Sequence, residues 1–308
     1  MNIKKINGLI VPVFTPMDLN GEINYSIIPQ YASFLIENGV DGIFVCGSSG
    51  EGMLMSLAER KKLIEAWKPY INEHFKMIVH VSATSYLDAR DLSIHARANG
   101  AYAISVMGPV FLQPQKIDDL ISYCKNIASA TPDLPFYYYH IPVRTQVNFK
   151  MIDFLAKGES QIPNLAGIKF TFSNLMDLLL CIRYKNYKFD ILHGSDETFL
   201  CGLTLGAKGG IGTTFNFMPQ LYLRMWKAFN AGDMQAAVDL QYISTQCIDI
   251  ISRNGGGIVA GKAIMNLCGI PCGPCRPPLP QISGNEIQKM KEELLQIGFF
   301  DYAKEIME

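Results

Sequence analysis

Short runs of apolar, β-favouring residues alternate along this chain with segments of helical periodicity. The runs fall at 8–11, 42–45, 77–81, 103–106, 136–139, 166–169, 190–193 and 209–212. Their spacing of roughly 20 to 35 residues is that of successive β–α units. Runs such as Met77-Ile78-Val79 are apolar at consecutive positions, which suits a parallel strand covered on both faces. The intervening segments carry helix signals. Ser56-Leu57-Ala58-Glu59 reads as a capping box, with serine accepting from an early helical N–H while glutamate reaches back to the cap. That helix ends near Pro69. Asp88 opens another, which runs through His95 to Asn99-Gly100, a pair suited to a left-handed C-terminal cap. Leu19-Asn20-Gly21-Glu22 reads as a tight hairpin turn ahead of the first helix.

Eight such units in about 220 residues predict a (β/α)8 TIM barrel of the α/β class. From Pro219 onward the chain reads as helices with one proline-rich interruption, at 271–280. Residues 1–218 therefore hold the barrel strands and most barrel helices. Residues 219–308 supply the last barrel helix and a C-terminal helical extension of the same domain. A doubly wound open sheet shares the same alternation and is the alternative. The glycines at 209–212 fit a loop as well as an eighth strand.

Composition narrows the class. Hydrophobic residues make up 49% of the 308 positions, and 27 basic against 28 acidic side chains leave a formal charge of −1. That balance argues against a nucleic-acid partner, which calls for a basic face, and against disorder. No stretch reaches 18 apolar residues, so neither a membrane span nor a membrane partner is expected. The N-terminal apolar run is short and holds a proline, unlike a signal peptide. Five cysteines (Cys46, Cys124, Cys181, Cys201, Cys247) sit in apolar contexts and read as buried thiols, consistent with a cytoplasmic protein.

In such a barrel the C-terminal strand ends face the active site. Lys169 closes an apolar run at that position. Desolvation there disfavours the ammonium and frees its lone pair for attack on a carbonyl, although an isolated strand-end lysine more often snorkels to solvent. Among Tyr137, Tyr138 and Tyr139 at least one is core, and one at the mouth could shuttle a proton. The spacing does not say which. Gly47-Ser48-Ser49-Gly50 offers N–H groups and hydroxyls suited to a carboxylate, or it is a plain glycine turn. Asp196-Glu197 reads as a polar loop edge or as paired acceptors for a polyhydroxylated ligand. Three other patterns carry less. Gly256 to Lys262 matches G-x-x-x-x-G-K, but Ala263 stands where a hydroxyl is required and no strand precedes it. Cys268, Cys272 and Cys275 have iron–sulfur spacing but lie late, in a Gly-Pro turn. The five histidines show no ligand spacing, so no metal site is expected.

Taken together, Gly47-Ser48-Ser49-Gly50-Glu51, Ser56-Leu57-Ala58-Glu59-Arg60, Tyr139-x-Ile141-Pro142 and Gly167-Ile168-Lys169-x-Thr171 resemble the N-acetylneuraminate lyase and dihydrodipicolinate synthase family of Schiff-base aldolases. The resemblance runs from about Gly8 into the stretch ending at Pro278. It implies that Lys169 forms the Schiff base, that Tyr139 moves the proton, and that Ser48 and Ser49 hold a carboxylate. The block at 136–142, with Gly194-x-Asp196-Glu197 and Gly210-Ile211-Gly212-Thr213, is most similar to the branch that cleaves sialic acids. That implies roles for Thr171, Gly194, Asp196, Glu197, Gly212 and Thr213 in holding the sugar. The loop Pro109-Val110-Phe111-Leu112 lacks the tyrosine usual in the synthase branch. Arg144 matches a carboxylate-binding arginine of the synthases, and Gln146 stands where lyases have glycine. The resemblance further implies a 2-oxo acid and an aldehyde sugar as ligands, no metal or organic cofactor, and a homotetramer. A synthase, an aldolase for a narrower 2-keto-3-deoxy sugar acid, and a keto-acid-binding protein on the same scaffold are the alternatives.

Overall fold

The computed structural model describes residues 5–303. Among them, eight parallel strands close into a barrel in chain order, which excludes the open sheet. They are β1 (Gly8–Val11), β2 (Gly42–Val45), β3 (Lys76–His80), β4 (Ala103–Met107), β5 (Phe136–His140), β6 (Leu165–Phe170), β7 (Asp190–His193) and β8 (Gly209–Ile211). The glycine-rich run at 209–212 is thus a strand, one residue shorter than expected, and Gly8, Leu9 and Ile10 pair with it to close the ring.

One helix layer surrounds the barrel: α1 (Ile28–Glu37), α2 (Leu57–Trp67), α3 (Tyr86–Ala98), α4 (Ile117–Ala128), a one-turn α5 (Pro142–Thr145), α6 (Met151–Gln161), α7 (Leu175–Arg183), α8 (Phe199–Leu205) and α9 (Pro219–Asn230). Beyond it lie α10 (Met234–Arg253), α11 (Gly256–Leu267) and α12 (Gly284–Gln296), with the proline-rich segment between the last two. The sequence pattern explains the packing. In α4 the buried residues are Leu120, Ile121, Cys124, Ile127 and Ala128, one stripe at helical spacing. The capping box at Ser56 and Glu59 forms as expected. The next helix starts earlier than Asp88: Ser85 caps α3 by accepting from the Leu87 N–H, and Asp88 falls in the first turn, where a negative charge also suits the helix dipole. Asn99 ends it, with Gly100 at φ +79°. The hairpin turn is present, with the Asp18 N–H donating to Glu22 O at 2.8 Å.

Two apolar layers result. Ile10, Phe44, Ile78, Tyr137, Tyr139 and Leu192 fill the barrel interior, while Val45, Val79, Tyr138, Ile168 and Ile191 face the helices. Strand alternation assigns each β5 tyrosine a side: Tyr137 and Tyr139 inward, Tyr138 outward. In β6 the alternation is interrupted. Leu165 pairs with Phe136, but Gly167 rather than Ala166 pairs with Tyr137, so Ala166 is an extra residue. A bulge of this kind reverses the facing of everything after it. Ile168 consequently points to the helices and Lys169 into the barrel; in an unbulged strand the two would exchange places. Gly167 permits the bulge, because a Cβ there would lie 1.7 Å from the Asp190 carbonyl oxygen.

Candidate active site

The C-terminal strand ends surround a cavity of about 380 Å³. Lys169, Tyr139, Ser48, Ser49, Thr171, Gly194, Thr213 and Arg144 all line it. Lys169 is 4% exposed, so it does not snorkel to solvent. Its ammonium lies 4.0 Å from the Tyr139 ring centroid and 4.5 Å from that of Phe44. Those faces offer π density, and no hydrogen bond to an acceptor oxygen or ion pair ties Nζ to another group among the described residues. Tyr137 sits two residues nearer the barrel floor, where its hydroxyl donates to Asp190 Oδ2 at 2.8 Å. His140 faces outward against Phe170 and Phe172, and burial depresses its pKa to about 4. Tyr139 is therefore the β5 phenol beside Lys169.

The loop after β2 is held in a conformation that suits its composition. Cys46 and Glu51 have φ of +60° and +56°, and the Cβ that Gly52 lacks would fall 1.8 Å from Cys46 O. The Glu51 and Gly52 N–H groups close turns onto Ser48 O and Gly47 O. The N–H groups of Ser48 and Ser49 have no acceptor among the described residues. Across the mouth, Ser49 Oγ and Thr213 Oγ1 are 2.8 Å apart. The loop's polar donors and Lys169 line one space.

Two glycines make room for neighbours. A Cβ on Gly194 would lie 2.0 Å from Thr171 Oγ1, and one on Gly212 would lie 2.4 Å from Asp196 Oδ1. The Thr171 hydroxyl is buried without a partner. Asp196 is buried and accepts from the Thr214 N–H and hydroxyl, both at 2.7 Å. Burial raises its pKa to about 6 despite those bonds. Asp196 and Gly212 lie behind the cavity wall rather than on it, and Glu197 is exposed and does not line the cavity. Arg144 lines the mouth and is largely exposed.

Beneath Tyr139 stands His80, which faces the interior with its ring 5.9 Å away. Its Nδ1 is 3.0 Å from Cys46 O, so the N–H is on Nδ1 and Nε2 is an unpartnered acceptor. Burial first, then the charge of Arg60, lowers its pKa to about 3. Gly52, Met53 and Leu54 beyond the loop, Met107 of β4, Gly257 and Ile258 from the start of α11, and Leu279 from the proline-rich segment also line the wall. Sequence reasoning missed all of these. The one available signal was the Gly255-Gly256-Gly257 run, which marks a sharp turn between α10 and α11.

The remaining sequence patterns resolve structurally. The G-x-x-x-x-G-K match lies inside α11 and follows a helix, not a strand, and Lys262 is buried. All eight cysteines are thiols; Cys201, expected to be buried, is exposed on α8. No group of three or more metal-ligating side chains occurs among the described residues. No helix there is long and apolar enough to cross a membrane. A second cavity of about 380 Å³, lined by Lys5, Tyr187, Asp190 and Lys208, opens at the opposite end of the barrel and contains none of the candidates.

A family model described as the dihydrodipicolinate synthetase family matches residues 5–297. N-acetylneuraminate lyase A of Xenopus laevis is 42% identical over 280 residues, which cover 90% of this chain and 91% of that protein. The native N-acetylneuraminate lyase (sialic acid aldolase) of Aliivibrio salmonicida superposes with a TM-score of 0.94 at 36% identity, covering 98% of this chain and 100% of that one. A catalytic lysine mutant of the Ruminococcus gnavus sialic acid aldolase superposes at 0.90 with 27% identity, covering 96% of both chains.

Proposed function

The chain belongs to the dihydrodipicolinate synthetase family, and we propose that within it this chain is a Schiff-base aldolase that cleaves N-acetylneuraminate to pyruvate and N-acetylmannosamine. The observation that carries this reading is a buried lysine packed on a tyrosine ring in a cavity edged by unpaired N–H groups and hydroxyls. The high identity to N-acetylneuraminate lyases supports the substrate.

In this reading Ser48 and Ser49 bind the carboxylate of the open-chain sugar acid through hydroxyls and N–H groups. Lys169 Nζ adds to the C2 ketone, water leaves, and the resulting iminium is the electron sink. Tyr139 takes the proton from the C4 hydroxyl as the C3–C4 bond breaks. The bonding pair passes into the iminium as an enamine, and the aldehyde sugar departs. A proton returned to C3 and water added to C2 then release pyruvate and the free amine. Every bond change is covered by the lysine, the phenol and water, so the sequence of steps calls for no metal or organic cofactor. Thr171, Gly194 and Thr213 line the end that takes the sugar's polyhydroxylated tail, with Gly212 and the buried Asp196 shaping it from behind the wall and Glu197 supplying an acceptor from the exposed surface beside them.

Arg144 at the mouth favours one second reading: a substrate with an additional anionic group, as in the synthase branch. Its exposure makes it a rim charge, so the lyase reading takes precedence. The protein is also proposed to be a cytoplasmic homotetramer. Exposed Phe111 and Leu112, and Met176 and Leu180 on α7, supply apolar surface for contacts between copies.

The test is incubation with pyruvate and borohydride, followed by peptide mass spectrometry. An adduct on Lys169, together with release of N-acetylmannosamine from N-acetylneuraminate, is expected. Folded protein that carries no adduct would sink the aldolase reading and leave a keto-acid-binding scaffold.

A further inference from the structure

The mechanism leaves one buried ion pair unused. Lys262 on α11 and Glu51 after β2 meet at 2.9 Å with side chains 1% and 0% exposed. A buried pair of this kind contributes little stability beyond what well-packed apolar residues would give, because desolvation offsets the attraction. Its value is geometric, and the geometry here is specific. Lys262 Nζ donates to three segments far apart in sequence: Thr15 O at 2.9 Å, Glu51 Oε1 at 2.9 Å and Pro274 O at 2.6 Å. The other Glu51 oxygen accepts from the Arg276 N–H at 2.7 Å. Thr15 in turn donates its hydroxyl to Gly50 O at 2.6 Å.

The two residues that end the loop after β2, Gly50 and Glu51, are therefore both fixed from outside it. Glu51 is held in the left-handed region that side-chain-bearing residues avoid. Within the loop so held, the Ser48 and Ser49 N–H groups have no backbone acceptor among the described residues.

We propose that Glu51 and Lys262, with Thr15, are positioning residues for the substrate carboxylate: they lock the Ser48–Ser49 loop in its anion-binding conformation from the C-terminal extension. This inference rests on the reading of that loop as the carboxylate site. It predicts that loosening the clamp weakens capture of the keto acid while leaving the covalent step on Lys169 possible.

The test uses three proteins: wild type, the charge-neutral pair Glu51→Gln/Lys262→Met, and Thr15→Val, a near-isosteric change that removes only the bond to Gly50. Each is checked for folding by thermal unfolding and titrated with pyruvate under borohydride, and labelling of Lys169 is quantified. The paired variant is expected to label Lys169 at saturation but to need about tenfold more pyruvate for half-labelling, the loss expected for hydrogen bonds to a charged group. Thr15→Val shifts the half-labelling concentration in the same direction by a smaller factor, and still reports if the paired variant fails to fold. A purely structural clamp would lower the unfolding temperature with half-labelling unchanged. That outcome in the folded variants overturns the proposal. Wild-type protein that never labels would overturn the aldolase reading itself.

Discussion

The bulge in β6 makes a demanding prediction. Replacing Gly167 by alanine puts a Cβ 1.7 Å from Asp190 O and 2.6 Å from Asp190 C. Both are backbone atoms of the neighbouring strand, so no side-chain rotation relieves the clash. Ordinary carbon–oxygen contacts begin a little above 3 Å, so β6 and β7 must part by roughly 1.5 Å or the bulge must move. Lys169 follows two residues later and pairs with Leu192 of β7. A displacement near 1 Å at a reacting group is worth about 10²-fold in rate. Gly167→Ala should therefore lower kcat by about 10²-fold, with a stability loss of roughly 1–3 kcal/mol, the range for overpacking a closed core. The assay is steady-state cleavage of N-acetylneuraminate beside thermal unfolding. Gly284→Ala, at an open position on α12 with nothing within 4 Å of the added methyl, is the control and should change neither. Near-normal kcat in folded Gly167→Ala would refute the claim that the bulge aims Lys169.

Three further outcomes can be checked. Tyr139→Phe should lower kcat by about 10²-fold or more, whereas Tyr137→Phe should spare kcat and alter stability through the lost bond to Asp190; the reverse pattern would relocate the proton shuttle. Asp190 is held up at about 6, chiefly by burial, against an unperturbed 3.8. A raised carboxyl favours folding while protonated, so that contribution is complete below pH 3.8 and is lost as pH rises through about 6. Asp190→Asn should accordingly raise the unfolding midpoint most above pH 7, by up to roughly 3 kcal/mol of stability, and a difference that shrinks with rising pH would contradict it. Arg144→Ala should change KM for N-acetylneuraminate by less than about threefold, since its charge sits at the exposed rim; a loss of tenfold or more in kcat/KM would favour a dianionic substrate.

Much of this was legible from the chain because each β–α unit carries its own local signals. The capping box at Ser56, the Asn99-Gly100 stop and the apolar strands lie within a few residues of what they determine. The candidate loop was half legible: Gly47 and Gly50 marked a tight turn, which fits a plain connection as well as an anion site. What failed to show were properties of facing. Three tyrosines in a row are equivalent until pairing sets their parity, and Lys169 faces inward only through an extra residue at Ala166 whose presence is a matter of register. Ser85 and Asp88 are both competent caps, and packing of α3 chose between them. Cys201 has apolar neighbours in sequence yet points to solvent. Gly257, Ile258 and Leu279 belong to the cavity because α11 and the proline-rich segment fold over the mouth, and no short-range pattern encodes that.

The clamp between Glu51, Lys262 and Arg276 also sets an order of events in the life of the chain. Its members are separated by 211 and 225 positions, whereas the last barrel strand is complete by Ile211. On a ribosome, where the chain emerges from its N-terminus, the barrel can close while α11 is still being made. The loop after β2 can lock only after Arg276 has appeared. A nascent chain with a closed barrel would thus have Lys169 in place beside Tyr139 while the loop after β2 is still unclamped, and the proposed clamp arrives last, with the C-terminal segment.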